Sequence, residues 1–208
     1  MKTIEMFSGT KSFSKIARKQ GHQIFTVDND HDLFADLVSD VRYLTAKDFP
    51  FKPDILWCSP PCQGFSVAVI GRNWNYDKTP KTNSARLAIE LIEHTLRIIE
   101  ELKPTWYFIE NPTGMLRKMP QVQSLNRKTV TNCQYGDTRM KPTDIWTNAT
   151  WWSPRPPCKN GMICHEAAPR GSRTGTQGIK GARDRGRIPP DLFVEMFQQW
   201  EQTYAIAA

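Results

Sequence analysis

Ile55-Leu56-Trp57-Cys58-Ser59-Pro60-Pro61-Cys62-Gln63-Gly64-Phe65-Ser66 changes character in mid-course, from a short apolar run of strand type to two prolines and a second cysteine. The first proline fixes its own φ and the second restricts it further, so regular structure stops there. A cysteine placed directly after a strand and two prolines sits on a rigid loop at the carboxyl end of a sheet. Open α/β sheets carry their reactive groups at that position. Two plainer readings stand beside it. A cysteine is most often a small buried apolar residue, and Cys62 could pair with Cys58 on a metal. The strand disfavours the pair, because it points Cys58 into the sheet.

The flanking sequence repeats the strand–helix alternation on both sides. Upstream, Thr3–Phe7 reads as a strand entering a turn at Ser8-Gly9-Thr10, Lys11–Gln20 as a helix closed by Gly21, and Gln23–Val27 as a strand ending in Asp28-Asn29-Asp30. A shorter strand is expected to end near Ser39-Asp40-Val41. Downstream, Ala88, Leu91, Ile92, Thr95, Ile99 and Leu102 recur at helical spacing, which predicts a helix over Ser84–Leu102 with Ser84 as cap and Pro104 beyond its end. Trp106–Ile109, Thr129–Cys133 and Asp144–Thr147 complete the expected strands. This pattern predicts an α/β fold, a mostly parallel sheet flanked by helices.

The composition is compatible with that fold. The 208 residues, 39% hydrophobic and 24% charged, have the make-up of a globular domain able to bury its own core. No apolar run approaches the ~18 residues of a membrane span. The beginning, Met1-Lys2-Thr3-Ile4-Glu5, does not resemble a secretory signal. Five scattered cysteines (58, 62, 133, 158, 164) are expected to be reduced, in a cytoplasmic setting.

The net charge of +7 is unevenly distributed. Residues 1–70 hold eight Lys/Arg and eight Asp/Glu, whereas residues 155–187 hold eight Lys/Arg against Glu166 and Asp184, an excess of six. Such a concentration suits phosphate-backbone binding as well as it suits a solvated loop. The stretch 151–188 is also rich in proline and glycine, and regular structure is expected to resume at Pro189 in a helix with a Leu192, Phe193, Met196, Phe197, Trp200 stripe.

Two further segments carry chemistry. Phe108-Ile109-Glu110-Asn111-Pro112 places an acid at the end of an apolar strand, where it either serves a reaction or caps the next turn. Gln134-Tyr135-Gly136-Asp137-Thr138-Arg139-Met140-Lys141 sets two cations in alternation after a glycine turn.

Taken in order, these segments resemble the cytosine-C5 DNA methyltransferases over about residues 3–148 and the C-terminal helix. Pro61-Cys62-Gln63 resembles the family's nucleophile motif, Glu110-Asn111-Pro112 its catalytic Glu-Asn motif, and Arg139-Met140-Lys141 its Arg-x-Arg motif. Phe7-Ser8-Gly9 is similar to the Phe-x-Gly turn that meets the cofactor, Asp28 to the acid on the cofactor ribose, and Asp40-Val41 to the pair that reads the adenine. The Pro-Cys-Gln loop followed about 50 residues later by Glu-Asn is the specific part of this likeness.

The resemblance implies a Rossmann-like S-adenosylmethionine-dependent methyltransferase fold, a DNA (cytosine-5-)-methyltransferase activity, and restriction–modification as an expected setting. Cys62, Glu110 and Arg139 would then be catalytic. Phe7, Ser8, Gly9, Thr10, Asp28, Asn29, Asp40, Val41, Pro61 and Leu91 would meet the cofactor. Gln63, Ser66, Lys141, Arg170, Arg173, Lys180, Arg183 and Arg185 would meet DNA, with the target cytosine flipped out of the duplex. Three departures stand out, one of them that the final motif lacks the usual Gly-Asn and reads Gly186-Arg187-Ile188-Pro189. The first motif, Phe-Ser-Gly-Thr-Lys-Ser, has fewer glycines than the family's, and only residues 151–188 occupy the place of a target-recognition domain. The chain is therefore divided into a catalytic core (1–150), a short basic insert (151–188) and a C-terminal helix returning to the core (189–208).

Alternatives are the same chemistry on RNA, single-stranded DNA or a nucleotide, and a non-catalytic nucleic-acid-binding protein. Within the insert, Cys158, Cys164 and His165 could hold zinc with Cys133 as a distant fourth ligand. The five residues between Cys158 and Cys164 exceed the usual two to four, so reduced thiols without a metal are the expected state.

Overall fold

The computed structural model describes residues 1–204. Seven strands form one sheet: β1 (Lys2–Met6), β2 (Gln23–Asp28), β3 (Leu37–Val38), β4 (Ile55–Cys58), β5 (Trp106–Pro112), β6 (Arg127–Thr131) and β7 (Pro142–Thr147). Their spatial order is β3-β2-β1-β4-β5-β7-β6. The first five are parallel neighbours, and β7 runs antiparallel between β5 and β6. The chain starts at the centre, winds outward to β3, then crosses back to β4. The strand order therefore reverses between β1 and β4, where the loops leaving their carboxyl ends open a crevice.

Period-two alternation on the central strands supplies two apolar faces. Ile4, Met6, Leu56 and Cys58 join one core, with Ala85, Ala88, Ile92 and Ile98 of α3 (Asn83–Leu102). Ile55 and Trp57 join the other, with Phe13 and Ile16 of α1 (Ser12–Lys19). The helix α5 (Pro190–Tyr204) lies on that second face through Leu192, Phe193, Met196 and Phe197. Phe13 stacks on Trp57 at 5.6 Å and meets Phe193 edge-on at 5.5 Å. The last four residues of the helix expected over 189–208 lie outside the described residues.

Two short helices, α2 (Ile70–Asn73) and α4 (Ala182–Gly186), lie outside these layers, and α3 spans Asn83–Leu102. The cap of α3 is Thr82, whose hydroxyl accepts from the Ala85 N–H at 3.2 Å. Ser84, the expected cap, lies inside the helix. Its carbonyl stands against the glycine of the nucleophile-motif loop: a Cβ on Gly64 would come within 2.9 Å of Ser84 O and 2.3 Å of Ala88 Cβ. Only a residue without a side chain lets that loop approach α3 so closely.

The structure moves several strand boundaries. The short third strand, Leu37–Val38, ends directly before Ser39-Asp40 as expected, but others differ. The sixth covers 127–131, and residues 132–135 form a tight turn instead of continuing it. Most consequential is β5, which runs on past Ile109 to Pro112 because β7 pairs with its far end, Glu110 opposite Ile145 and Asn111 opposite Asp144. Glu110 is thus held inside the sheet, and the turn-capping reading falls. Between 151 and 188, α4 is the only regular element among the described residues. No described helix is long and apolar enough to cross a membrane.

Candidate active site

The loop from Ser59 to Ser66 emerges from β4 at the crevice and is fixed from three sides. The Gly64 carbonyl accepts from Asn73 Nδ2 at 3.2 Å and from Trp74 Nε1 at 2.9 Å. Phe65 stacks on Trp74 at 5.7 Å. The Phe65 carbonyl accepts from the Met115 N–H at 2.8 Å, and a Cβ on Gly114 would meet that same oxygen at 2.3 Å. Asn111 closes the third side, donating its amide to the Pro60 carbonyl at 2.9 Å. The strand that carries Glu110 is therefore tied to the loop that carries Cys62.

Glu110 is 5% exposed and its Oε1 has no hydrogen-bond partner, an unusual state for a buried carboxyl oxygen. Burial raises its pKa above the ordinary carboxylate value, while the charge of Lys141 and the Ser59 hydroxyl act in the opposite sense. Cys62 is half-buried. Burial raises its thiol pKa first, the negative charge of Glu110 raises it further, and Lys141 and Arg185 lower it. Thiol and carboxyl thus lie within electrostatic reach of one another, and the same cation acts on both.

That cation is Lys141, which the sequence reading assigns to the DNA surface. It is 6% exposed, its Nζ donates to the Arg187 carbonyl at 3.0 Å, and its backbone takes φ +37°. A lysine so buried is no phosphate contact. Arg139, expected at the base, is engaged elsewhere. Its Nη1 donates to the carbonyls of Glu166 (3.2 Å) and Ala167 (3.0 Å) and lies 3.5 Å from the Glu166 carboxylate. The two cations of the Arg-Met-Lys segment thereby exchange the places expected of them. Lys141 turns inward where its positive φ and the bond from its N–H to the Thr174 carbonyl (2.9 Å) place it, contacts that spacing alone does not reveal.

Beside the loop lies a cavity of about 350 Å³. Phe7, Asp28, Asn29, Asp40, Val41, Pro61 and Leu91 line it, seven of the ten residues expected to meet a cofactor. Ser39, Ser84, Leu87 and Ala88 join them, as does Gln63, which the sequence reading places on DNA. Ser8, Gly9 and Thr10 do not line it. Ser8 is buried with its backbone N–H on the Val27 carbonyl at 3.0 Å, and Gly9 N–H is held by the Asp28 carboxylate at 2.8 Å. Thr10 opens instead on a second cavity, with Lys15, Arg18 and Arg187. Phe7 and Gly9 both take positive φ, +57° and +45°, so the turn is tight although it holds a single glycine.

The first cavity fits a nucleoside-bearing ligand. Its apolar wall (Phe7, Val41, Pro61, Leu91) can take a flat base, and Asp28 and Asn29 offer polar atoms at one end. Asp40 is partly committed: Arg42 bonds both of its oxygens, at 2.7–3.1 Å, and holds its pKa below the usual carboxylate range.

The remaining DNA candidates divide. Ser66 is half-buried, paired with Gly114, while Arg170, Arg173, Lys180, Arg183 and Arg185 are exposed on the insert. Arg185 is near enough to the crevice for its charge to reach Cys62. Spacing along the chain carries no sign of this, because it depends on how the insert folds back.

Comparison with known proteins agrees with this architecture. The structure is similar to the Entamoeba histolytica methyltransferase EhMeth (TM-score 0.52, 12% identity, 71% of this chain and 52% of that one). It is also similar to the Schizosaccharomyces pombe Dnmt2 methyltransferase (TM-score 0.50, 17% identity, 71% and 50%). The chain spans about half the length of these solved structures. In sequence it is 31% identical, over 94% of its length and 98% of the other's, to the probable DNA (cytosine-5)-methyltransferase of frog virus 3 (isolate Goorha). The fold is that of the Rossmann-like methyltransferases. The profile of C-5 cytosine-specific DNA methylases matches residues 1–132, and the chain belongs to that family.

Proposed function

We propose that the protein transfers a methyl group from S-adenosylmethionine to C5 of cytosine in DNA, with Cys62 as nucleophile and Glu110 as acid. The observation that carries this reading is the pairing of a loop thiol with a buried carboxyl that keeps one oxygen unpartnered. A folding role would leave no reason for that orphan oxygen, and neither would a binding-only protein. A base seated between the two groups would supply its missing partner.

Cytosine C5 is too weak a nucleophile to react unaided. Addition of the Cys62 sulfur to C6 forms an S–C6 bond and moves the C5–C6 π electrons onto C5. Glu110, whose proton burial holds more firmly than an ordinary carboxyl's, gives that proton to N3 as the addition occurs, so no net negative charge builds up on the ring. With Glu110 neutral, its charge no longer opposes the thiolate, and Lys141 favours the ionised sulfur. Phe7, Asp28, Asn29, Val41 and Leu91 would hold S-adenosylmethionine, which when bound would supply an electrophilic methyl carbon to C5, the S–CH3 bond breaking to leave a neutral thioether. To finish, the C5 proton leaves to a base, its bonding pair re-forms C5–C6, and the Cys62 thiolate is expelled as N3 returns its proton to Glu110.

The target base must leave the stack to reach the crevice. The exposed arginines of the insert would hold phosphates, which fixes position but reads no sequence. One observation favours a second reading, the same reaction on single-stranded DNA or RNA: the 38 residues of 151–188 contain no element beyond α4 to read a duplex.

The test is transfer of tritiated methyl to duplex DNA, single-stranded DNA and RNA in parallel, with Cys62→Ala as control. Transfer to duplex DNA that the substitution abolishes supports the proposal. Equal incorporation by both proteins overturns the mechanism, and transfer to RNA alone overturns the substrate.

A further inference from the structure

From the geometry of four side chains outside the catalytic crevice we infer a zinc site: Cys133, Cys158, Cys164 and His165 form a Cys₃His centre that fastens the basic insert to the catalytic core. Cys133 belongs to the turn after β6, and the other three residues belong to the insert. One donor atom from each lies within 4.8 Å of all the others. Cys164 Sγ is 3.8 Å from Cys133 Sγ and 3.5 Å from His165 Nδ1, and Cys158 Sγ is 3.6 Å from the same nitrogen. Tetrahedral zinc with bonds of about 2.3 Å to sulfur and about 2.0 Å to nitrogen sets its donors about 3.5–3.8 Å apart. One contact, 3.1 Å between Cys158 and Cys164, is short of that edge but far longer than an S–S bond of about 2.05 Å.

The surroundings point the same way. Apolar burial does not hold this part of the insert, since Met162 is 53% and Ile163 102% exposed. It is pinned instead by polar contacts on either side of the thiols. Cys158 N–H donates to Thr131 Oγ1 at 2.9 Å, and Glu166 N–H to the Thr138 carbonyl at 2.8 Å. Gln134 Nε2 points at Cys164 Sγ from 3.8 Å, the kind of N–H···S contact that supports a metal-bound thiolate. Three sulfurs and one imidazole form a donor set that selects zinc over calcium or magnesium. Binding would ionise the three thiols and release their protons to solvent, with the metal charge offsetting theirs. In the sequence the five residues between Cys158 and Cys164 disfavour a metal, with Cys133 only a distant fourth candidate. The fold supplies Cys133 from 25 residues before Cys158 and removes the objection.

The consequence reaches the insert's contact with the core. Residues 164–167 carry two of the four proposed ligands, Cys164 and His165, together with the carbonyls that bind Arg139. The metal would hold this corner in place and so keep the arginines of the insert, Arg185 among them, over the crevice.

The test uses the full chain purified in reductant without added metal. Plasma mass spectrometry should find about one zinc per chain, falling below about 0.2 in Cys158→Ser and in Cys164→Ser but not in Cys62→Ser. Added cobalt(II) should give the apoprotein tetrahedral d–d bands and a thiolate charge-transfer band. His165→Cys, a ligand replaced by another ligand, should keep the metal and shift those bands. Wild-type protein with under about 0.2 zinc and no cobalt bands would overturn the inference. So would a Cys158–Cys164 disulfide in the alkylation map of reduced protein, or full zinc retention by Cys158→Ser.

Discussion

Asn111 donates its side-chain amide to the carbonyl of Pro60 across 2.9 Å, and this bond joins the strand of the candidate acid to the loop of the candidate nucleophile. Asn111 is wholly buried, so its effect passes through position rather than through contact with solvent. Asn111→Ala should lower kcat by about ten- to a hundredfold through misplacement of Cys62. The fold should lose only about 1–2 kcal/mol, the usual cost of one buried bond. Steady-state methylation alongside chemical denaturation checks both numbers.

Lys141 and Arg139 should separate cleanly. Lys141→Met removes the cation that favours an ionised Cys62, so iodoacetamide alkylation of the thiol should need a higher pH than in wild type. Its kcat should fall by about a hundredfold, the scale set by loss of one preorganised charge partner. Arg139→Met should leave the alkylation profile in place and weaken DNA binding, because this side chain holds the insert at Glu166 and Ala167. Equal alkylation profiles for Lys141→Met and wild type would contradict the assignment.

The Cys62–Glu110 coupling predicts a pH signature. Glu110 as carboxylate raises the thiol pKa, so Glu110→Gln should lower it and speed alkylation at alkaline pH. The gap between the two proteins should open only above the pH at which Glu110 ionises, itself higher than for an ordinary glutamate. Alkylation rates followed from pH 5 to 10 read this directly.

Glu5 gives a stability prediction. It is 3% exposed on β1, accepts the Ser14 N–H at 2.9 Å, and burial pushes its pKa up to about 7 from 4.5. The folded state therefore keeps a proton that the unfolded chain releases. This contribution is whole below about pH 4.5 and is lost as pH rises to about 7. The loss is on the order of 3 kcal/mol. His22, held down to about 4 by burial, works in the opposite sense, adding stability above its unfolded value that is lost as pH falls. Glu5→Gln removes the first effect alone. Its unfolding free energy should decline less than that of wild type between pH 5 and 8, by urea titration at each pH.

How much of this was legible in the sequence follows from how local each signal is. Cys62 and Glu110 stand in contiguous motifs whose strand–loop context the sequence carries, so both could be picked out with the α/β fold. The extension of β5 to Pro112 could not, because it depends on pairing with β7 more than thirty positions away. Arg139 and Lys141 are likewise placed by contacts with the insert, at Glu166 and Arg187, and Cys133 meets Cys158 only through the fold. Thr82 and Ser84 are equally good caps by residue type, and Gly64 settles the choice by packing where only an interior helical residue fits. The turn at Ser8-Gly9-Thr10 was placed correctly as a turn. Whether its residues face the first or the second cavity is set by the positive φ of Phe7 and Gly9.

The central claim is a covalent bond from Cys62 to the cytosine ring. A duplex carrying 5-fluorocytosine lacks the C5 hydrogen whose loss lets the thiolate leave, so the intermediate should accumulate. Incubated with this DNA and S-adenosylmethionine, wild-type protein should form a denaturant-stable adduct, with peptide mapping placing the DNA on Cys62, and Cys62→Ala should form none. An adduct of equal yield in Cys62→Ala, or none in a wild-type preparation that methylates ordinary DNA, would contradict the account.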